Sequence, residues 1–450
     1  MRIALLLLTA CASTTAPDLV PSSGERLQVV SLPFGDDRLF LGLYDAELDT
    51  PCFAANAQDG SLRCIPTAGW SGFLGNGLLS TACEGGGTLV RPADTCAAER
   101  PYLATPVSMP CQPPTYAVLA LEPWEGSVSL SDGASCLDIS LPEARLPGLP
   151  MAPDRLAPLG ETDVLGDDGL GQRWFVSDDG LALPADLASE DGACTPETLA
   201  DGRTVCLPDG SVAVRPLDLF ADGTCREPAA ILTECKDSHE VRYVKSGNRD
   251  VRLFHASGEP RHADVAFDLA RGRCNALELD PLAVRALVGL GAEVGADELP
   301  VLTSDPITQD GVTLRRWRDP EGHRLAEAAS PTVDGERCEL IADGTHVWCL
   351  PGLTSAAQVA YADAACTEPV SRAAGPHFVL DAEVECARTR LQQVDEVWRR
   401  TDVPARGERY EIRSGRCLRN GFFSGDDAYL EALPLEAVAK RLGTLADLEP

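Results

Sequence analysis

The sequence predicts an all-β fold built on a threefold internal repeat. Three observations predict it: cysteines that recur with one period, Asp-Gly dipeptides in the same register, and short strand-like runs bounded by turn residues. Cys52, Cys194 and Cys338 are separated by 142 and 144 residues, and Cys64, Cys206 and Cys349 by 142 and 143. Cys83, Cys225 and Cys366 are separated by 142 and 141, and Cys136, Cys274 and Cys417 by 138 and 143. Four columns sharing a period of about 143 residues mark triplication. Asp59-Gly60, Asp201-Gly202 and Asp343-Gly344 keep the register, as do Cys64-Ile65-Pro66, Cys206-Leu207-Pro208 and Cys349-Leu350-Pro351. Arg173-Trp174 and Arg316-Trp317 stand 143 apart, whereas the first repeat lacks this mark, as terminal repeats often do.

The repeats are expected over residues 25–165, 166–308 and 309–450. Within each, Asp-Gly supplies the positive φ of a tight hairpin turn. Because each Asp-Gly falls between the first two cysteines, those cysteines belong on paired strands. Disulfides are therefore expected at Cys52–Cys64, Cys194–Cys206 and Cys338–Cys349. The following cysteines are expected to pair as Cys225–Cys235 and Cys366–Cys386, although spacing alone does not fix connectivity. Cys111, Cys235 and Cys386 form a looser fifth column, and Cys96 stands outside the columns.

The third repeat shows the strand pattern best. Residues 312–316, 323–328, 338–342 and 346–350 read as four short strands, and 358–362, 377–381, 396–400 and 409–413 as four more. Two four-stranded sheets per repeat match two propeller blades, so three repeats make a six-bladed β-propeller that hides most sheet edges. Three tandem β-sandwiches are the alternative. Residues 281–290 and 433–442 are the best helix candidates, placed as connectors after the last cysteine of the second and third repeats.

The N-terminus carries an address. Met1-Arg2 gives a positive start and residues 3–8 an apolar run, the order of a secretory signal peptide over residues 1–10. Leu8-Thr9-Ala10-Cys11 resembles the lipobox of bacterial lipoproteins. That resemblance implies cleavage before Cys11, lipidation of Cys11 and, with no aspartate at Ala12 or Ser13, delivery to the outer membrane. Residues 11–24, rich in small residues and proline, then form a tether that spans up to roughly 45 Å when extended. The paired cysteines, the Asp-Gly hairpins and the Tyr-Ala-Asp-x-x-Cys-x-x-Pro stretch at residues 361–369 resemble repeat-bearing, cysteine-rich bacterial surface lipoproteins. The likeness extends over roughly residues 25–450, departs in the first repeat, and implies no activity.

Composition narrows the partners. The 450 residues include 69 acidic and 38 basic side chains, a formal charge of −31 that repels nucleic acid and anionic headgroups. An apolar content of 44% argues for a folded body. Of the 17 cysteines, removal of Cys11 leaves an even 16, which in an exported protein reads as a disulfide framework. There is no Cys-x-x-Cys pair, so no metal site or cofactor is expected.

No catalytic residue is assigned. Gly69-Trp70-Ser71-Gly72 lacks the spacing of a nucleophile elbow and reads as a tight turn. Ser238-His239-Glu240 is an isolated polar triplet whose neighbours would face opposite sides of a strand. Asp167-Asp168-Gly169, Asp178-Asp179-Gly180 and Asp426-Asp427 read as solvated turns. A two-carboxylate calcium site is the functional alternative, although none of them matches an Asp-x-Asp-x-Asp-Gly loop. Trp174 and Trp317 are expected in the core. The expected function is a non-enzymatic binding or structural role in the cell envelope, toward an unidentified envelope or extracellular ligand. The alternative is an exported carbohydrate-active hydrolase using paired carboxylates.

Overall fold

The computed structural model describes residues 21–447, leaving aside 36, 68–69, 72, 75–76, 83–86, 93–101, 108–113, 132–135, 140, 142–143, 168, 210–211, 216–218, 234–240, 248–250, 262–264, 271, 280–283, 296, 323, 326–330, 353, 356–359, 372–377, 382–390, 395, 414–415 and 424–426. The fold is all-β. Among the described residues, the helical elements are a four-residue α-helix, Leu435–Val438, and two short 3-10 turns.

Three stapled hairpins organise the chain. Thr50–Ala57 pairs with Leu62–Pro66, Gly192–Thr198 with Thr204–Pro208, and Glu336–Ala342 with His346–Pro351, all antiparallel. The stagger is the same each time: Cys52 faces Pro66, Cys194 faces Pro208 and Cys338 faces Pro351. Disulfides Cys52–Cys64, Cys194–Cys206 and Cys338–Cys349 cross the ladders diagonally, with Cα atoms 5.3, 5.4 and 5.2 Å apart. At the turns, Gly60, Gly202 and Gly344 have φ of 79, 87 and 81°, a region that side chains rarely adopt. The preceding aspartate tightens each turn by accepting the amide two residues on, from Ser61, Arg203 and Thr345.

Each hairpin extends into a meander. Leu27–Phe34, Asp37–Asp45 and Thr50–Ala57 pair in order, and so do Leu170–Val176, Ala182–Ser189 and Gly192–Thr198. Val312–Leu314, Thr332–Val333 and Glu336–Ala342 follow the same path. The chain then returns to the outer edge of each hairpin, by an isolated bridge of Arg63 with Pro158 at the first and by strands at the other two. The Cys64 amide donates to the Ala157 carbonyl at 3.0 Å and the Leu159 amide to Leu62 at 3.1 Å. Val301–Ser304 pairs with Thr204–Pro208, and Lys440–Thr444 with His346–Pro351. Between each hairpin and its return the chain makes an excursion, over residues 67–156, 209–299 and 352–439. The second excursion contains a closed barrel of Val212–Arg215, Ala229–Thr233, Val284–Glu293, Arg252–Arg261 and Tyr243–Ser246.

Several expectations change. The described strands form sheets of two to eight strands, one of them four-stranded, and a five-stranded barrel, as the excursions add strands to the hairpin sheets or close on themselves. The helix expected at 281–290 is replaced by a strand, Val284–Glu293, held between Ala229–Thr233 and Arg252–Arg261. Gly289 explains why the strand wins. A Cβ there would lie 2.9 Å from the Ser257 carbonyl oxygen, so two backbones approach where only glycine fits. Residues 433–442 form one helical turn and then the strand Lys440–Thr444 rather than a connector helix.

The second set of disulfides also differs. Cys225 bonds Cys274, not Cys235, and Cys366 bonds Cys417, not Cys386. The partner arrives by sheet pairing. Leu219–Phe220 pairs with Val265–Ala270, which pairs with Arg273–Glu278 and so carries Cys274 beneath the 222–228 loop. In the third excursion Ala360–Tyr361 pairs with Glu408–Arg413, which carries Cys417 on its neighbour. Cys136 is disulfide-bonded too. Cys235 and Cys386 lie outside the described residues.

Three core clusters centre on the hairpins. The first joins Leu27, Leu43, Cys52 and Cys64 to Leu159, Leu181 and Leu183. A second joins Leu170, Leu187, Cys194 and Cys206 to Leu302, Trp317 and Leu325. The third joins Val312, Val333, Cys338 and Cys349 to Leu442, Leu32 and Leu39. Trp174 and Trp317 are buried at 8% and 3%, which makes them core residues rather than exposed platforms. Polar clasps reinforce the contacts. Arg316 ion-pairs with Asp37, and Asp179 accepts the amides of Arg26 and Leu27.

Candidate ligand groove

An open groove of about 540 Å³ lies where the first hairpin, its excursion and the start of the second meander meet. That volume suits a small organic ligand. One wall is Phe53 to Asn56 on Thr50–Ala57, and Leu62 on Leu62–Pro66 stands beside it. Thr115–Pro123 joins the end of Thr50–Ala57 in parallel, with Tyr116 opposite Ala57, and brings the Tyr116 ring against Phe53. The centroids are 5.1 Å apart and the rings perpendicular. Leu159 closes the floor. The far wall is Glu161 and Phe175, directly opposed across the ladder of Gly160–Leu165 and Leu170–Val176.

The aromatic content is the informative part. Aromatic residues are only 5% of the chain, yet three line this groove, each half-buried with one side packed on the core: Phe53 and Tyr116 against the cluster of Ile65, Val118 and Leu156, and Phe175 against that of Leu159, Leu181 and Leu183. Half-exposed rings in a concave site retain unspent hydrophobic contact area. The other hairpins lack this lining. After the first cysteine of the hairpin, Phe53 is matched by Thr195 and Glu339. Where Glu161 opposes Phe175, Thr303 opposes Arg318. Sequence reasoning missed Phe53, Tyr116, Glu161 and Phe175; the usable signal was their departure from the repeat register.

The groove also carries charge. Arg173 forks onto Asp163 at 2.7 and 2.9 Å, while its distance to Glu161 is 3.8 Å. Those hydrogen bonds hold the Arg173 guanidinium above its ordinary pKa. Glu161 therefore has a guanidinium 3.8 Å away whose hydrogen bonds go to Asp163, and among the described residues no basic side chain lines the groove.

No family model, no curated protein and no solved structure matches this chain. Its own geometry therefore carries the functional argument.

The residues singled out from sequence fall elsewhere. Asp179 is consumed in a clasp: burial disfavours its charge, but the Ser177 hydroxyl and the Arg26 and Leu27 amides outweigh that and hold its pKa low. Asp168 and Asp426 lie outside the described residues, and Asp427 is buried. Trp70–Ser71 is a short strand paired with Arg91–Pro92, not a turn. The triplet at 238–240 and Cys11 lie outside the described residues. No cluster of potential metal ligands occurs among the described residues. The third Asp-Gly turn carries contacts beyond its turn role. Asp343 accepts the Trp348 indole N–H at 2.9 Å and lies 3.3 Å from His346 Nδ1.

Two loops explain a recurring motif. In residues 221–228 and 362–369 the Asp carboxylate collects loop amides: Asp222 those of Thr224, Arg226 and Glu227, and Asp363 those of Thr367 and Glu368. These loops hold Cys225 and Cys366 at φ of 52 and 54°, aimed at their disulfide partners. Hydrogen bonding depresses both pKa values, led by the Thr224 hydroxyl at Asp222 and the Glu368 amide at Asp363. A depressed folded pKa adds stability above the ordinary carboxylate value near pH ~4, and that stability is lost as pH falls through the folded value. Melting temperature is thus expected to fall from about pH 4 downward. The double variant Asp222→Asn/Asp363→Asn should show a shallower fall in thermal scans. Equal slopes would mean the carboxylate charge is unimportant.

Proposed function

We propose that this chain is an exported bacterial envelope lipoprotein, anchored through Cys11 in the outer membrane, whose body binds a ligand without transforming it. The observation that carries this reading is the disulfide framework. Five bridges among the described residues belong to a chain that folds in an oxidising compartment. Among those residues no helix is long and apolar enough to cross a membrane, which leaves the lipid as the attachment by this reading. Stable attachment needs two or more acyl chains, the number that lipoprotein processing supplies.

We infer that the body is a closed threefold ring. The shared stagger of the three hairpins supports this, as do the core clusters, which pass from the first hairpin to the second, the second to the third and the third back to the first. Closure of that kind protects sheet edges and gives the groove rigid walls.

The anchoring test is direct. Expressed in a Gram-negative host, the wild-type protein should sediment with outer membranes, and Cys11→Ser should move essentially all of it to the soluble fraction. Membrane retention of Cys11→Ser would overturn the lipoprotein reading. Saturable turnover of envelope polysaccharide or peptide by the purified protein would overturn the binding role.

A further inference from the structure

We propose that the groove receives an organic ammonium group, an inference that rests on the binding role just given. Three features converge. Phe53 and Tyr116 meet edge to face at one side of the groove, and Phe175 lines it from the other face of the hairpin. Ring faces attract cations through their quadrupoles, worth about 0.5–2 kcal/mol depending on desolvation. Glu161 faces the same space from the strand beside Phe175, and its side chain is 44% exposed. It adds a carboxylate to the site, its charge offset only in part by Arg173, which lies 3.8 Å away but spends its hydrogen-bonding fork on Asp163.

The chemistry disfavours the other ligand classes. A phosphate or carboxylate would meet Glu161, and no described lining residue is a cation that would offset it. A neutral apolar ligand would gain nothing from Glu161. The chain's charge of −31 steers cations toward the surface and anions away. Asn56 adds a neutral hydrogen-bonding group for whatever bears the ammonium. The lining is specific to this junction: Thr195, Thr303 and Arg318 replace Phe53, Glu161 and Phe175 at the next one, where the arginine would repel the same ligand.

The test titrates the oxidised full chain with choline and with 3,3-dimethylbutan-1-ol, its uncharged carbon isostere, by NMR. Choline should bind at least about tenfold more tightly than the alcohol, and added salt should weaken it. Glu161→Gln and Phe175→Leu should each lower choline affinity about tenfold. Glu161 is exposed and Phe175→Leu keeps an apolar side chain, so melting temperature should hold in both. Equal affinity for the two probes would overturn the ammonium site, as would choline binding that survives both substitutions. A neutral sugar that binds while choline does not would overturn it too, and would leave the binding role standing. Failure of the binding role itself is read separately, by the turnover assay.

Discussion

Strong reductant unfolds this protein at neutral pH and room temperature: that is the expected result with the largest effect. Cys225–Cys274 and Cys366–Cys417 close loops of 49 and 51 residues, which the chain-entropy relation values at about 4 kcal/mol each. The three hairpin bridges close loops of 11 or 12 residues, at about 3 kcal/mol each. Together these exceed the ~5–15 kcal/mol net stability of a typical folded domain. Loss of even half would bring folded and unfolded states near balance. The order of loss follows from burial. All six hairpin cysteines are at most 4% exposed, whereas the four excursion cysteines are half-buried. Limited reductant should therefore release the thiols of Cys225, Cys274, Cys366 and Cys417 first. Mass spectrometry after alkylation reads that order, and circular dichroism reads the unfolding. An unchanged melting temperature in reductant would show that the cysteines are not a framework.

The same bridges show what the sequence made legible. The hairpin staples were readable because both cysteines and the Asp-Gly turn fall within a dozen residues, where local turn chemistry sets the pairing. Cys225–Cys274 was not, because its register is set by the pairing of Leu219–Phe220 with the hairpin at 265–278, which is remote from it in sequence. The third repeat's strands at 338–342 and 346–350 lie within observed strands, since each is a short β-prone run beside a turn. Val284–Glu293 was misread because a continuous apolar run has no period to separate helix from strand, and a backbone contact at Gly289 decides it. The groove was illegible for a related reason. Residues 53, 116, 161 and 175 form no local motif and meet only through a parallel pairing and the ladder of Gly160–Leu165 with Leu170–Val176. Where three hairpins share one stagger, the residues at which they differ are the better guide to such a site.

Arg26→Ala is expected to cost about 3–5 kcal/mol, more than the removal of its partner's charge. Asp45 is fully buried, while Arg26 retains 22% exposure. The guanidinium forks onto Asp45, Nε to Oδ1 at 3.0 Å and Nη2 to Oδ2 at 2.8 Å, and Oδ1 also accepts the amides of Glu47 and Leu48. Without Arg26 the Asp45 carboxylate stays buried with amide donors alone, a charge that the interior does not tolerate. Asp45→Asn keeps an acceptor and leaves a guanidinium that can turn toward water, so it should cost about 1–3 kcal/mol. Arg26→Lys should fall between, because a lysine keeps the charge and loses the fork. Urea denaturation of the oxidised protein ranks the three, and an Asp45→Asn variant less stable than Arg26→Ala would reject the argument. The effect should reach the groove. Arg26 Nη2 also donates to the Arg155 carbonyl at 2.8 Å, four residues before Leu159, and the Arg26 amide donates to Asp179 at 2.7 Å. Arg26 thus ties the first meander to the 3-10 turn that leads into Leu159 at the groove and, through its own amide, to the second meander. An Arg26→Lys protein that still folds should bind the groove's ligand more weakly without any change in the groove's own residues.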